Sequence, residues 1–435
     1  MAAAPDNKTP AATYVPQDQM FLWLLTRPEQ PVRVGELRMV RTLRGVSLRY
    51  SDEWLARGFA LSEDLPLLDQ EFLPTQKDSA AGAVDDARPD RWGEQVIKFL
   101  DKPPRLSLLE YLYFAGDERF GALGISTSPE QYLPRRTGPL PTLADTEAIQ
   151  ALVRQVLANE PIDPAQRRLI APGVTMGGAR PKALLQIDGE PWVVKFADGE
   201  PTDTPLVEHA SMTLARGANI RTAETRPIRL HDGHAVAVRR FDRAGGLRVH
   251  ALSAHVALAA AAEPMGYPEL AQLLRRRGVV AGAVYAAQMQ ELFRRMVFNI
   301  LIDNTDDHEK NHVLLVNDAQ QWELSPAFDV LPSGQALGYQ QLRVGEDQAD
   351  STLDNALSMC RQFGLSRDEA AAQVREVAVV VSQWQAHFSA CGVSRRDIEL
   401  YAEQVDRPFL REQREAFAAA PAVKTARRGA PRRRR

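Results

Sequence analysis

Two Asp-Gly pairs constrain this chain more than any other feature. Asp188-Gly189 separates the apolar runs 183–187 and 192–196, and Asp232-Gly233 separates 226–230 from 235–241. An Asp-Gly pair tolerates the positive φ angles of a tight primed turn, so each pair predicts an antiparallel hairpin. Between the hairpins, Thr204-Pro205 predicts a helix to about 216, with Thr as cap, Pro in the first turn and Gly217 closing it. Farther on, Met289, Leu292, Phe293, Met296, Val297, Ile300 and Leu301 recur at three- and four-residue spacing. That period predicts a core-facing helix ending near Asn304. Hairpins followed by helices place the chain in the α+β class.

The flanking regions are less regular. Residues 1–20 read as a flexible lead rich in Ala and Pro. Strand-like runs at 21–25, 32–37 and 46–50 alternate with helical pieces at 51–57 and 106–114, while 76–91 is polar and reads as a surface loop. Three prolines within 133–142 mark a boundary. The expected divisions are an amino-terminal subdomain (21–137), a lobe with a glycine-rich loop and hairpins (138–245), a helical lobe (246–418) and a basic tail (419–435). Ser366 with Glu369, and Ser394 with Asp397, resemble capping boxes that start helices at 367–389 and 395–405. Residues 409–418 read as a last turn.

Composition excludes several classes. With 435 residues and 44% hydrophobic content, the chain can bury a core without disulfide or zinc staples. The longest apolar run, 279–287, falls short of the ~20 residues a spanning helix needs. The first twenty residues lack a basic start and a long apolar stretch, so no signal peptide is expected. Cys360 and Cys391 stand far apart without a C-x-x-C, which fits a reducing cytoplasm. The net charge of -3 includes seven cations and no acid in the last twelve residues, so the rest of the chain stands at -10. Such a body is not expected to bind nucleic acid by charge. The tail reads as a solvated end or a nonspecific contact for RNA, DNA or an acidic partner.

The densest chemistry lies at 303–312, DNTDDHEKNH. Four acids so close repel each other unless a cation or solvent intervenes. Phosphotransferases of the protein-kinase type use one Asp to orient a hydroxyl, an Asn five residues later and a downstream Asp to hold magnesium. Asp306 and Asn311 have that spacing, and Asp329 follows eighteen residues after Asn311. Upstream, Gly177 and Gly178 could let backbone amides approach phosphate, Lys182 or Lys195 could neutralise it, and Glu208 could pair with Lys195. The loop is neither a Walker A motif nor G-x-G-x-x-G. A zinc or two-metal site at Asp306, Asp307, His308 and His312 would lack a Cys partner, and its two histidines follow the long helix rather than share one.

Six segments together resemble the HipA family of toxin kinases: DARPDRWG at 86–93, FGALGI at 120–125, TMGGARPKA at 175–183, VRRFDR at 238–243, NTDDHEKNH at 304–312 and SPAFDVLP at 325–332. The resemblance implies a protein-kinase-like two-lobed fold, with a mixed α/β amino-terminal subdomain and a helical carboxy-terminal lobe. It implies an ATP- and Mg2+-dependent serine/threonine protein kinase with Asp306 as the catalytic Asp and Asn311 and Asp329 as metal ligands. ATP contacts are implied for Thr175, Met176, Gly177, Gly178, Ala179, Lys182, Lys195, His308 and Lys310, and for the hinge Arg239, Arg240 and Phe241. Thr175 stands where the family autophosphorylates a serine. The implied partners are a small helix-turn-helix antitoxin, through which alone DNA would be contacted, and a protein substrate such as an aminoacyl-tRNA synthetase. Two other readings stay open: a catalytically silent co-repressor or binding module, and a small-molecule or lipid kinase sharing the Asp-x-His-x-x-Asn string.

Overall fold

The computed structural model describes residues 14–135, 138–170, 178 and 180–419. The amino-terminal part is built on a five-stranded antiparallel sheet: β1 (Gln19–Leu24), β2 (Val32–Val40), β3 (Gly45–Tyr50), β4 (Glu71–Phe72) and β5 (Leu123–Ser126), in the order β4-β3-β2-β1-β5. Alternating apolar positions such as Leu37 and Leu48 are fully buried, each stabilising by roughly 1.5–3 kcal/mol. Only residues 14–18 of the expected lead precede β1 within the described region; 1–13 and the tail beyond 419 lie outside it.

The two predicted hairpins form one sheet. β6 (Lys182–Ile187), β7 (Glu190–Lys195), β8 (Thr225–Arg229) and β9 (His234–Arg239) run antiparallel in the order β6-β7-β9-β8. Asp188 and Gly189 both take positive φ, 53° and 82°, as the turn demands. The period of two gives the sheet two apolar faces. Leu185, Trp192, Val194 and Ala237 pack with Ile149 and Val153 of the helix Thr146–Leu157. Leu184, Val193 and Val236 share the opposite core with Leu206, Val207 and Ala210 of the helix Thr204–Gly217.

After a two-strand ribbon, β10 (Arg243–Ala244) and β11 (Leu247–Arg248), the chain forms β12 (His250–Ser253), β13 (Val313–Val316) and β14 (Trp322–Leu324) in that order. The periodic helix spans Val284–Leu301 and packs between the helices Tyr267–Arg277 and Arg367–Val381. The Ser366–Glu369 capping box is present, and Ser394 accepts from the amide of Asp397. Among the described residues, no helix is long and apolar enough to cross a membrane.

Four local expectations need correction. Asp203 occupies the N-cap position and Thr204 is the first helical residue; the Asp203 carboxylate makes no cap hydrogen bond and instead meets His234 at 2.5 Å. The stretch 367–389 is broken into Arg367–Val381 and Trp384–Ala390. Residues 409–418 belong to a full helix, Pro408–Ala419, anchored by buried Leu410 and Arg414. Residues 76–91 are not a surface loop: Ala83, Val84 and Ala87 are buried within the 3-10 segment Gly82–Ala87. Their polar neighbours face other parts of the protein. Asp86 accepts from the amide of Ser253 at 2.7 Å, and Trp92 just beyond donates its indole N–H to the carbonyl of Lys182 at 2.8 Å.

Candidate active site

Lys195 ends β7 on the same face as Val193, toward the helix Thr204–Gly217. There its Nζ donates to Glu208 Oε1 at 2.7 Å and to Asp329 Oδ1 at 2.6 Å. Lys182 stands directly opposite Lys195 across the β6–β7 ladder. Two ammonium groups so placed repel. The fold answers with a third carboxylate: Lys182 Nζ donates to Asp90 Oδ2 at 2.6 Å, and to the carbonyl of Gly178 at 3.0 Å. Lys182 is thus held by the amino-terminal part, and Lys195 by Glu208 of its own lobe and Asp329 of the helical lobe.

The acidic cluster is partitioned in the same way. Asp303 pairs with Arg407 at 2.9 Å. Asp307 accepts from His312 Nε2 at 2.8 Å and from the Tyr267 hydroxyl. Glu309 pairs with His255 at 2.9 Å. Asp306 is left exposed and faces a cleft of about 290 Å³ that Arg180, Lys182, Lys195, Asn311 and Asp329 also line. The repulsion foreseen among these acids is offset at Asp303, Asp307 and Glu309 by separate partners, and persists at Asp306. Among the described residues, no three His, Cys, Asp or Glu side chains are placed to hold a metal, so the zinc alternative has no cluster to use.

The ionisation states follow from these partners. Burial opposes the charge on Lys195, but Asp329 and Glu208 outweigh it and hold its pKa above the ordinary lysine value. Burial likewise opposes ionisation of Asp329, yet Lys195 overrides it and brings the carboxyl to about 2. Partial loss of hydration on its protein side raises Asp306, and the negative charge of Asp329 adds to this.

A divalent cation fits the oxygen donors present. The Asn311 side-chain oxygen is buried without a hydrogen-bond partner, and it lines the cleft together with Asp329. Hard cations such as Mg2+ use one or two protein oxygens and complete their shell with phosphate and water.

The other expected contacts divide into four groups. Gly178 stands at the cleft with φ +85°, and a Cβ there would lie 3.5 Å from Asp329 Oδ2. Thr175, Met176, Gly177 and Ala179 fall outside the described residues. His308 and Lys310 line a larger neighbouring cavity rather than the cleft holding the lysines. In the hinge segment, the amides of Arg239 and Arg240 already donate to the carbonyls of Glu224 and Pro191. The Arg240 guanidinium is buried against Asp242 and the carbonyls of Glu118 and Arg119, and Phe241 packs on Phe120 and Phe328. Sequence reasoning assigned no role to Arg180 or Asp90. Asp90 lay within a quoted segment, but only its approach to Lys182 gives it meaning.

Comparison with known proteins places this geometry in a family. Residues 174–384 match the HipA-like C-terminal domain and residues 30–126 match the HipA N-terminal domain, together well over half of the chain. The chain belongs to the HipA family. HipA of Shewanella oneidensis MR-1, solved in a complex with HipB and operator DNA, superposes with a TM-score of 0.63 over 91% of this chain and 97% of that one, at 17% identity. The likeness shows a shared HipA fold, the two-lobed α+β arrangement. Two proteins of Sinorhizobium fredii strain NGR234 that carry kinase names are also similar. Y4dM is 30% identical over 200 residues, 42% of this HipA-family chain and 45% of the relative. Y4mE is 25% identical over 313 residues, 66% of this chain and 72% of the relative. The match thus spans less than half the length of Y4dM.

Proposed function

We propose that this chain is an ATP- and Mg2+-dependent serine/threonine protein kinase, acting as the toxin of a toxin–antitoxin pair. The observation that carries the reading is the buried, unpartnered oxygen of Asn311, in one cleft with Asp306, Asp329 and the Lys195–Glu208 pair. Asn311 and Asp329 would hold magnesium, which when bound with ATP supplies charge neutralisation and a transferable phosphoryl group. Asp306 orients the acceptor hydroxyl and takes its proton as the new oxygen–phosphorus bond forms and the bond to the departing diphosphate breaks. Lys195, kept cationic by its carboxylates, offsets negative charge on the phosphates. Glu208 fixes the direction of Lys195. Catalysis of this kind rests on positioning and electrostatics.

The same reading extends to partners. The solved HipA relative is assembled with HipB and operator DNA. A small helix-turn-helix antitoxin is the corresponding partner here, with DNA reached through it. The family resemblance points to a cytoplasmic protein target of the translation apparatus, such as an aminoacyl-tRNA synthetase, and to Thr175 as a self-phosphorylation site.

Intact-mass spectrometry before and after incubation with ATP and magnesium tests the core of the proposal. Wild type should gain phosphate, and Asp306→Ala should not while keeping its fold. If the protein arrives already phosphorylated, phosphatase treatment precedes the assay. A dephosphorylated wild type that neither gains phosphate nor consumes ATP would overturn the reading in favour of a silent binding module.

A further inference from the structure

Beside the cleft that holds the lysines lies a cavity of about 540 Å³. The two share Gly178 and Asp306 and no other lining residue. The smaller cleft draws no wall from the amino-terminal part, whereas in the larger cavity every residue from Asp85 to Asp90 except Ala87 contributes, together with Arg91, Glu94 and Phe120. Asp306 therefore stands on the partition between two chambers of different parentage.

Most of the charged groups in the larger chamber already have partners. Arg88 meets Asp85 at 3.5 Å and Glu94 at 3.4 Å, Asp86 is held by Ser253, and Asp90 by Lys182. Arg91 and Lys310 are exposed, and neither has a hydrogen bond or ion pair among the described residues. They come from different parts of the chain, Arg91 from the first turn of the helix Arg91–Val96 and Lys310 from the segment Glu309–Asn311.

We infer that the larger chamber receives the acceptor polypeptide, with its hydroxyl at Asp306, and that Arg91 and Lys310 read the side chains flanking that hydroxyl. The inference rests on the kinase reading and adds to it a location and two specificity residues. It assigns the amino-terminal part a direct role in choosing the substrate. A charged group without a partner at the edge of a binding chamber acts chiefly through complementarity with what enters.

The test compares paired Ser/Thr peptide libraries with acidic or basic residues around the acceptor, in wild type, Arg91→Glu, Lys310→Glu and a distant control, Arg395→Glu. Glutamate is favourable in the first turn of a helix, so Arg91→Glu should fold. The readout is the ratio of rates on basic to acidic peptides. Each chamber variant should raise that ratio roughly three- to tenfold over wild type, as expected for the reversal of a partly exposed charge, and the control should leave it unchanged. An unchanged ratio in both chamber variants, or an equal rise in the control, would overturn the inference while leaving the kinase reading intact. So would a wild type that phosphorylates itself but no peptide. A wild type that transfers no phosphate to any acceptor would instead remove the kinase reading on which the inference stands.

Discussion

Asp242 shows how much one side chain can hold together. It is fully buried, accepts from Arg240 and Arg243 at 2.7 Å each, and accepts from the amide of Gly121 at 2.8 Å. Burial pushes its carboxyl up, but the two guanidinium groups outweigh this and bring it to about 2. Its folded pKa lies below the unfolded value, so its stabilisation is complete above about pH 4 and is lost as pH falls through about 2. Asp242→Ala would leave buried Arg240 and Arg243 only the more distant Glu118 carboxylate, at 3.7 and 4.0 Å, and should cost about 3–5 kcal/mol, read from denaturant unfolding at pH 7. At the cleft, Gly178→Ala would place Ala at φ +85°, with its methyl in ordinary contact with Asp329 Oδ2 at 3.5 Å. If the proposed nucleotide site is right, this variant should weaken nucleotide affinity several-fold in a calorimetric titration, because alanine at a positive φ costs about 1–2 kcal/mol.

Elements differ in how openly their sequence declares them. Ser366→Ala removes the hydroxyl half of a capping box while the amide of residue 366 still donates to Glu369, and should cost about 1 kcal/mol in thermal or denaturant unfolding. That box, the Asp-Gly hairpins and the three- and four-residue apolar spacing of the long helix were legible because their determinants lie within a few residues of each other. The stretch 76–91 was not. Its polar residues suggested solvent, yet Asp86 and Asp90 serve Ser253 and Lys182, 167 and 92 residues away. The spacing of Asp306, Asn311 and Asp329 was visible in the sequence, but the separate partners of Asp303, Asp307 and Glu309 were not. Arg407, Tyr267 and His255 are remote in the chain and unremarkable by composition. For the same reason His308 and Lys310, grouped with the nucleotide by their neighbours in sequence, line the other chamber.

At the scale of the molecule, the amino-terminal part is clamped to both others by a few polar contacts. Trp92 and Asp90 reach the hairpin sheet, and Asp86 reaches Ser253 at the start of the helix Ala254–Ala260. Burial raises the Asp86 carboxyl to about 6. A raised carboxyl favours the folded state fully below its unfolded value of about 4, and that contribution is lost as pH rises through about 6. Asp86→Asn keeps an acceptor for the Ser253 amide and removes the titration. Its stability should therefore vary less than that of wild type between pH 4 and 7, as measured by thermal melts across that range.

The facing lysines of β6 and β7 carry a last consequence. Lys182 and Lys195 are already neutralised by Asp90, Glu208 and Asp329 before any guest arrives. Entry of a phosphate chain is therefore an exchange of anions rather than the filling of a positive hole. A guest bringing only negative charge must compete with resident carboxylates, whereas one that carries its own cation gives Asp329 something else to hold. Pyrophosphate alone should bind this protein more weakly than its magnesium complex, and the gap should close in Asp329→Asn.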